Sequence, residues 1–197
     1  MKKKILAIAV VAVFGVMTMG PVMAGEVDVS KVPEKKQTTL KLYLTAKEAY
    51  DMKKEGGDKV LLIDVRTPEE IQYVGNMGEL MDTNIPYQFN DISAFDEKKK
   101  VYANSLNSNF TVAVEDLASK RGLAKDSPII LSCRSGDRSA VAANLLAKAG
   151  YTNVYSVIEG FEGDMSKDGR RSVNGWKNAN LPWTYNMDKA KMYFVLN

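Results

Sequence analysis

Histidine is missing from all 197 residues, and cysteine occurs once, at Cys133. The first absence excludes Ser-His-Asp triads, Cys-His dyads, HExxH zinc sites and histidine proton shuttles. The second excludes an internal disulfide, so Cys133 is either an inert buried side chain or a thiol kept for its reactivity. A surplus of one sign of charge is also lacking once the N-terminus is set aside. Three of the 27 basic residues and none of the 24 acidic ones lie in residues 1–24, which leaves the remainder balanced. A global basic field for nucleic acid or anionic lipid is thereby unsupported, and any attraction for anions must be local.

Residues 1–24 have the three parts of a secretory signal peptide: Lys2, Lys3 and Lys4, an apolar run over 5–19, and Val22-Met23-Ala24 as a small-residue cleavage site. The run is shorter than the ~20 residues a membrane span needs. Cleavage after Ala24 and a periplasmic or secreted location are therefore expected, with membrane contact only through the uncleaved leader. A retained anchor is the alternative.

What is present beyond the leader alternates between two periods. Residues 25–38 are polar and read as a solvated linker. Residues 39–44 alternate like a short strand, and Thr45 with Glu48 makes a capping box for a helix to about Lys54. The apolar runs at 60–65 and 128–132 fit strands buried on both faces. Thr67-Pro68-Glu69-Glu70 supplies an N-cap, proline at the first helical position and acids in the first turn. A brief strand is expected at 84–86, an extended insertion of undefined structure at 88–108, a helix from Phe110 to near Gly122, a helix over 139–149 and a strand at 154–157. Strands alternating with helices predict an α/β domain over 39–185, with a parallel sheet of about five strands and helices on both faces. The apolar end of the tail, 186–197, suits packing on the domain or on a partner equally well.

In such sheets ligands sit beyond the carboxyl ends of the strands, which selects Asp64-Val65-Arg66 and Ser132-Cys133-Arg134. The cysteine opens a loop between a buried strand and a helix N-terminus, where backbone N–H groups without intrahelical partners can converge on one anionic atom. Gly136 gives the turn its freedom, and Arg134 and Arg138 outweigh Asp137 in charge. Each feature favours ionised sulfur, so a nucleophile can form without a histidine base. An ordinary tight turn around a buried cysteine is the bland alternative.

These residues resemble the rhodanese family, in which a six-residue loop beginning with the catalytic cysteine cradles a persulfide through backbone N–H groups. Residues 133–138 match that loop in length. Asp64-Val65-Arg66 followed by Pro68-Glu69-Glu70 is similar to the family's strand-plus-helix signature. Gly75-Asn76-Met77 and Asn84-Ile85-Pro86 look like its next segment, and Glu159-Gly160-Phe161 with Gly175-Trp176 and Leu181-Pro182 resembles its C-terminal signature. The likeness spans residues 40–183. Asn76 stands where the family commonly has histidine, and the stretches at 88–108 and 162–174 look like insertions.

The resemblance implies a sulfurtransferase that moves sulfane sulfur from a donor such as thiosulfate to a thiol or cyanide-like acceptor through a Cys133 persulfide, without cofactor or metal. Ser135, Gly136, Asp137, Arg138 and Ser139 would hold the persulfide, and Arg134 and Arg138 would attract the donor. Asp64 and Arg66 would support the site, Arg66 by pairing with Glu70. A protein acceptor of the sulfur is also admitted. Two rivals remain: a carrier that holds sulfur or a soft metal without turnover, and a cysteine phosphatase or arsenate reductase. The latter resemble Cys-x5-Arg, whereas four residues separate Cys133 from Arg138. Asp164-Met165-Ser166-Lys167-Asp168-Gly169 mimics a calcium loop, but its twelfth position is Gly175 instead of glutamate, so a polar turn is expected. Trp176, Pro182, Trp183 and Tyr185 are expected to pack the C-terminal arm.

Overall fold

A computed structural model describes residues 27–193; the proposed leader and the last four residues of the tail lie outside the described residues. The chain runs β1 (Tyr43–Leu44), α1 (Ala46–Gly56), β2 (Leu61–Asp64), α2 (Pro68–Val74), β3 (Thr83–Asn84), β4 (Gln88–Asp96), β5 (Val101–Leu106), α3 (Phe110–Lys120), β6 (Ile129–Ser132), α4 (Asp137–Lys148) and β7 (Val154–Val157). Five strands form one parallel sheet in the order β1-β7-β6-β2-β3. This is the α/β architecture expected from the alternating periods.

The two apolar runs become the centre of that sheet because neither face can meet water. Leu61, Ile63 and Val65 pack with Phe110, Val114, Ala142 and Leu146 of α3 and α4. Val60 and Leu62 point the other way, into a second core with Ala46, Ala49, Met77, Phe161 and Trp176. Each fully buried aliphatic side chain contributes about 1.5–3 kcal/mol. A continuous apolar strand is thus what a sheet covered on both sides requires. Both capping boxes form, Thr45 with Glu48 and Thr67 with Glu70, and Pro68 occupies the first turn of α2.

Three segments depart from the sequence expectations. The strand expected from residue 39 shortens to two residues because Lys41 adopts φ 54°, a left-handed turn that ends any extended run before it. The described part of the expected linker is not free. Val32, Lys36 and Thr38 are buried, and the Lys36 ammonium donates to the Ile158 carbonyl at 2.8 Å and pairs with Asp164 at 2.7 Å. A lysine can do this because its apolar stem tolerates burial when its head finds acceptors. The stretch at 88–108 is an ordered antiparallel hairpin, β4 with β5, carrying an irregularity between Asp91 and Phe95.

The arm and the start of the tail fold back on the domain. Trp176 is buried with its ring N–H on the Pro182 carbonyl at 2.8 Å, and the Lys177 ammonium sits 3.9 Å from the Trp183 ring centre. Asn76, in the place of the family's histidine, donates to the Asn186 carbonyl and exchanges backbone bonds with Thr184. Met192 bridges to Asn84 at the outer edge of β3, which assigns that part of the tail to the domain itself. In the calcium-like turn, Asp164 is taken up by Lys36 and Asn174, and Ser166 bonds Asp168.

Candidate active site at the carboxyl end of the sheet

Sheet order brings the two selected strand ends side by side. Asp64 lies opposite Ser132 in register, and the Val65 N–H donates to the Ser132 carbonyl at 2.8 Å. From β2 the chain continues toward β3, and from β6 toward β7, so the connections diverge here and leave a crevice. A cavity of about 640 Å³ opens at this point, with Cys133, Arg134, Ser135, Asp137 and Arg138 along one side.

The loop that carries Cys133 depends on two glycines. Gly136 adopts φ +95° and serves as N-cap of α4, which therefore begins at Asp137, two residues before the expected Ser139. A Cβ on Gly136 would lie 2.2 Å from the Ile158 carbonyl oxygen. Gly160, at φ +65°, passes beneath the loop so closely that a Cβ there would lie 2.5 Å from the Cys133 carbonyl oxygen. The Phe161 N–H then donates to that carbonyl at 2.8 Å, and the Glu162 N–H to Arg134 at 3.0 Å. The loop is thus clamped from below by the chain after β7.

Cys133 is almost wholly buried, packed on the core yet bordering the cavity. Its Sγ receives the Gly136 N–H at 3.2 Å and lies 3.6 Å from the Ser139 hydroxyl oxygen. Ser139 in turn donates to the Gly136 carbonyl at 3.1 Å and shares a hydrogen bond of 2.9 Å with Ser156 on β7. Following α4's start, the N–H groups of its first turn have no intrahelical acceptors. Sulfur therefore sits at a helix N-terminus, against one directed amide and a chain of two buried hydroxyls. A helix N-terminus and an aimed N–H are groups that stabilise negative charge placed against them.

The arginines divide in a way the sequence did not indicate. Arg66 does not pair with Glu70. It is fully buried and pairs with Asp64, also fully buried, with Nη2 to Oδ2 at 2.7 Å and Nε to both carboxylate oxygens at 3.0 Å. Two residues apart at a strand end, their side chains leave on the same side, so each is the other's nearest counter-charge in the interior. The Arg66 guanidinium also lies 4.1 Å from the Phe161 ring centre and donates to Gly75, which makes it the floor beneath the loop. Glu70 instead accepts two bonds of 2.6 Å from Arg138. Burial pushes the Glu70 carboxyl up, but the Arg138 bonds and charge outweigh it and hold the group below its ordinary value of 4.5; the same pair raises Arg138.

Arg138 is thus committed within the protein. Arg134 remains exposed at the cavity with no acidic partner among the described residues. Asp137 is drawn to Lys35 at 3.0 Å. All nine residues selected from the sequence fall in one region: five line the cavity, while Gly136, Ser139, Asp64 and Arg66 shape it from below. Sequence reasoning missed Ser156, Glu70 as the partner of Arg138, and the hairpin wall formed by Gln88, Asn90, Lys99, Tyr102 and Asn104.

Comparison with known proteins places the chain in a family. The rhodanese-like domain model matches residues 45–167. Protein RP600 of Rickettsia prowazekii is 37% identical over 130 residues, covering 65% of this chain and 85% of its own length. The thiosulfate sulfurtransferase GlpE of Actinobacillus succinogenes is 31% identical over 140 residues, covering 71% of this chain and 86% of its own. The crystal structure of Rv0390 from M. tuberculosis superposes with a TM-score of 0.50 at 30% identity, over 72% of this chain and 96% of that one. The fold, the strand-end cysteine loop and the matched span lead to one conclusion: this chain belongs to the rhodanese-like family.

Proposed function

We propose that this protein is a sulfurtransferase that carries sulfane sulfur on Cys133. The observation behind this reading is the placement of a buried sulfur at the floor of an open cavity, 3.2 Å from the Gly136 N–H and at the start of α4. The Cys133 thiolate attacks the outer sulfur of a donor such as thiosulfate; the donor's S–S bond breaks, sulfite leaves, and Cys133 keeps a persulfide anion. A nucleophile then attacks that outer sulfur, the bond to Cys133 breaks, and the thiolate returns. With cyanide as acceptor the product is thiocyanate.

In this mechanism the first-turn amides of α4 and the Gly136 N–H stabilise negative charge on the terminal sulfur, as an oxyanion hole does for oxygen. Ser139 can accept from the neutral thiol and donate to the anion, because its hydroxyl rotates. Arg134 supplies the uncommitted positive charge for an anionic donor. The leader proposed for residues 1–24 would put this chemistry outside the cytoplasm.

The test is intact mass after incubation with thiosulfate. One added sulfur, removed by cyanide and absent from Cys133→Ser, is expected. An unchanged mass, in protein whose thiol titrates as free, would rule the reading out.

A further inference from the structure

The charges that border the cavity beside Cys133 cancel in pairs, with one exception. Glu70 takes Arg138 through two bonds of 2.6 Å, and on the hairpin Lys99 takes Asp96 at 3.3 Å. Arg134 and Asp137 remain on the lining. By themselves these two would also cancel, and the mouth would hold no net charge to draw an anion. Lys35 breaks that balance, because its ammonium reaches Asp137 Oδ2 at 3.0 Å. The other carboxylate oxygen of Asp137 is buried and has no hydrogen-bond partner among the described residues. The lining charges and their ion-pair partners thus sum to one surplus positive charge, that of Arg134.

Lys35 lies outside the cysteine loop and outside residues 45–167, which the family model matches. It sits on a single helical turn, Glu34–Lys36, that is fixed on both flanks. Before the turn Val32 is buried; at its end the buried Lys36 holds the Ile158 carbonyl at 2.8 Å and Asp164 at 2.7 Å. Beyond it the Thr39 N–H donates to the Asn144 carboxamide oxygen on α4 at 2.7 Å. The segment is therefore strapped along α4, with Lys35 beside the residue that begins that helix.

We propose that Lys35 is a specificity-determining residue of this site: by neutralising Asp137 it leaves Arg134 unopposed, and so selects anionic over uncharged reactants at Cys133. The inference rests on the sulfurtransferase reading for the reaction served, and on the placement of charges for the selection. Both partners of the pair are partly exposed, so what Lys35 supplies is field at the mouth more than stability of the fold.

The field can be read apart from sulfur transfer. In iodoacetate and iodoacetamide the same Cys133 thiolate displaces iodide, and the reagents differ by one negative charge, so the ratio of their rates does not depend on how much thiolate is present. In the full-length protein at low ionic strength, Lys35→Met should lower that ratio about threefold, the effect of one unit charge roughly 7 Å away in water. Lys35→Arg should keep the wild-type ratio, and Asp137→Asn added to Lys35→Met should restore it, which a strap that only supports the loop does not predict. Raising salt from about 0.01 M to about 1 M, which cuts the screening length from about 30 Å to about 3 Å, should bring wild type and Lys35→Met to one ratio. In turnover, kcat/KM for thiosulfate relative to methanethiosulfonate, which carries one charge less, should fall in Lys35→Met by a similar factor. An alkylation ratio unchanged in Lys35→Met, or lowered but not restored by Asp137→Asn, overturns the role of Lys35 while the addition of sulfur from thiosulfate still stands. The expected ratios in protein that gains no sulfur would instead overturn the transferase reading and keep the charge selection. No alkylation by either reagent would mean a cavity closed to Cys133 and would overturn both.

Discussion

Arg138 and Glu70, 68 residues apart in the chain, meet through two parallel hydrogen bonds of 2.6 Å. The same Glu70 closes the capping box of α2 by accepting from the Thr67 N–H. One carboxylate thus ties the helix after β2 to the helix after β6, and with them the two strand ends that border the site. Both side chains are about four-fifths buried, so removing the charge of one leaves the other poorly solvated.

Glu70→Gln should lower stability by about 2 kcal/mol, the range for charge-assisted hydrogen bonds. Urea unfolding at neutral pH measures it. Arg138→Lys should recover little, since an ammonium cannot make the paired contact.

Acid should weaken the fold through this pair. Because the folded Glu70 carboxyl titrates below its ordinary 4.5, its contribution is fully present above that value and is lost as pH falls through the lower, folded one. Between those values the unfolded chain binds more protons, so stability drops as the pH is lowered. Melting curves from neutral to acid pH should show a shallower acid loss for Glu70→Gln than for the wild type. Asp164, also lowered against its burial by Lys36 and Asn174, contributes equally to both proteins and cancels in the comparison.

Gly160→Ala tests the clamp under the cysteine loop. Both the left-handed backbone and the 2.5 Å approach to the Cys133 carbonyl oppose a methyl group. Strain and overpacking together should cost about 3 kcal/mol or more. Folded variant recovered at low temperature should take up sulfur from thiosulfate more slowly than wild type, by intact mass.

Asp64→Ala strands the Arg66 guanidinium in the interior. Loss of one partner of a fully buried pair costs about 3–5 kcal/mol, so a drop of that size is expected in denaturant. Cys133→Ser, which keeps the pair, should retain most of the wild-type stability.

Ser156→Ala probes the second hydroxyl behind the sulfur. With Ser156 gone, Ser139 loses its 2.9 Å partner and is less firmly oriented toward Sγ. Sulfur uptake should slow by up to about tenfold, the equivalent of one hydrogen bond. An unchanged uptake rate would assign Ser156 to packing alone.

Much of the fold was legible because it rests on local signals. Continuous apolar runs forecast β2 and β6, Thr67 and Pro68 forecast the start of α2, and Gly136 forecast the turn below the sulfur. The hairpin was not legible, since Gln88, Asn90 and Asn104 give no apolar alternation on the face toward the cavity. The linker was misread for a related reason: Lys36 looks solvated until Ile158 and Asp164 are brought to it across more than a hundred residues.

By itself the sequence determined the chemistry available to this protein: one thiol, no imidazole, and a glycine turn that joins a buried strand to a helix. Backbone propensity and residue type are local properties, and they suffice for that. Which cation stays free was decided only by tertiary packing, because ion pairing follows distance in space. Folding buried Arg66 against its neighbour Asp64 and brought Glu70 to Arg138, and it left Arg134 facing the cavity opposite a wall of carboxamides.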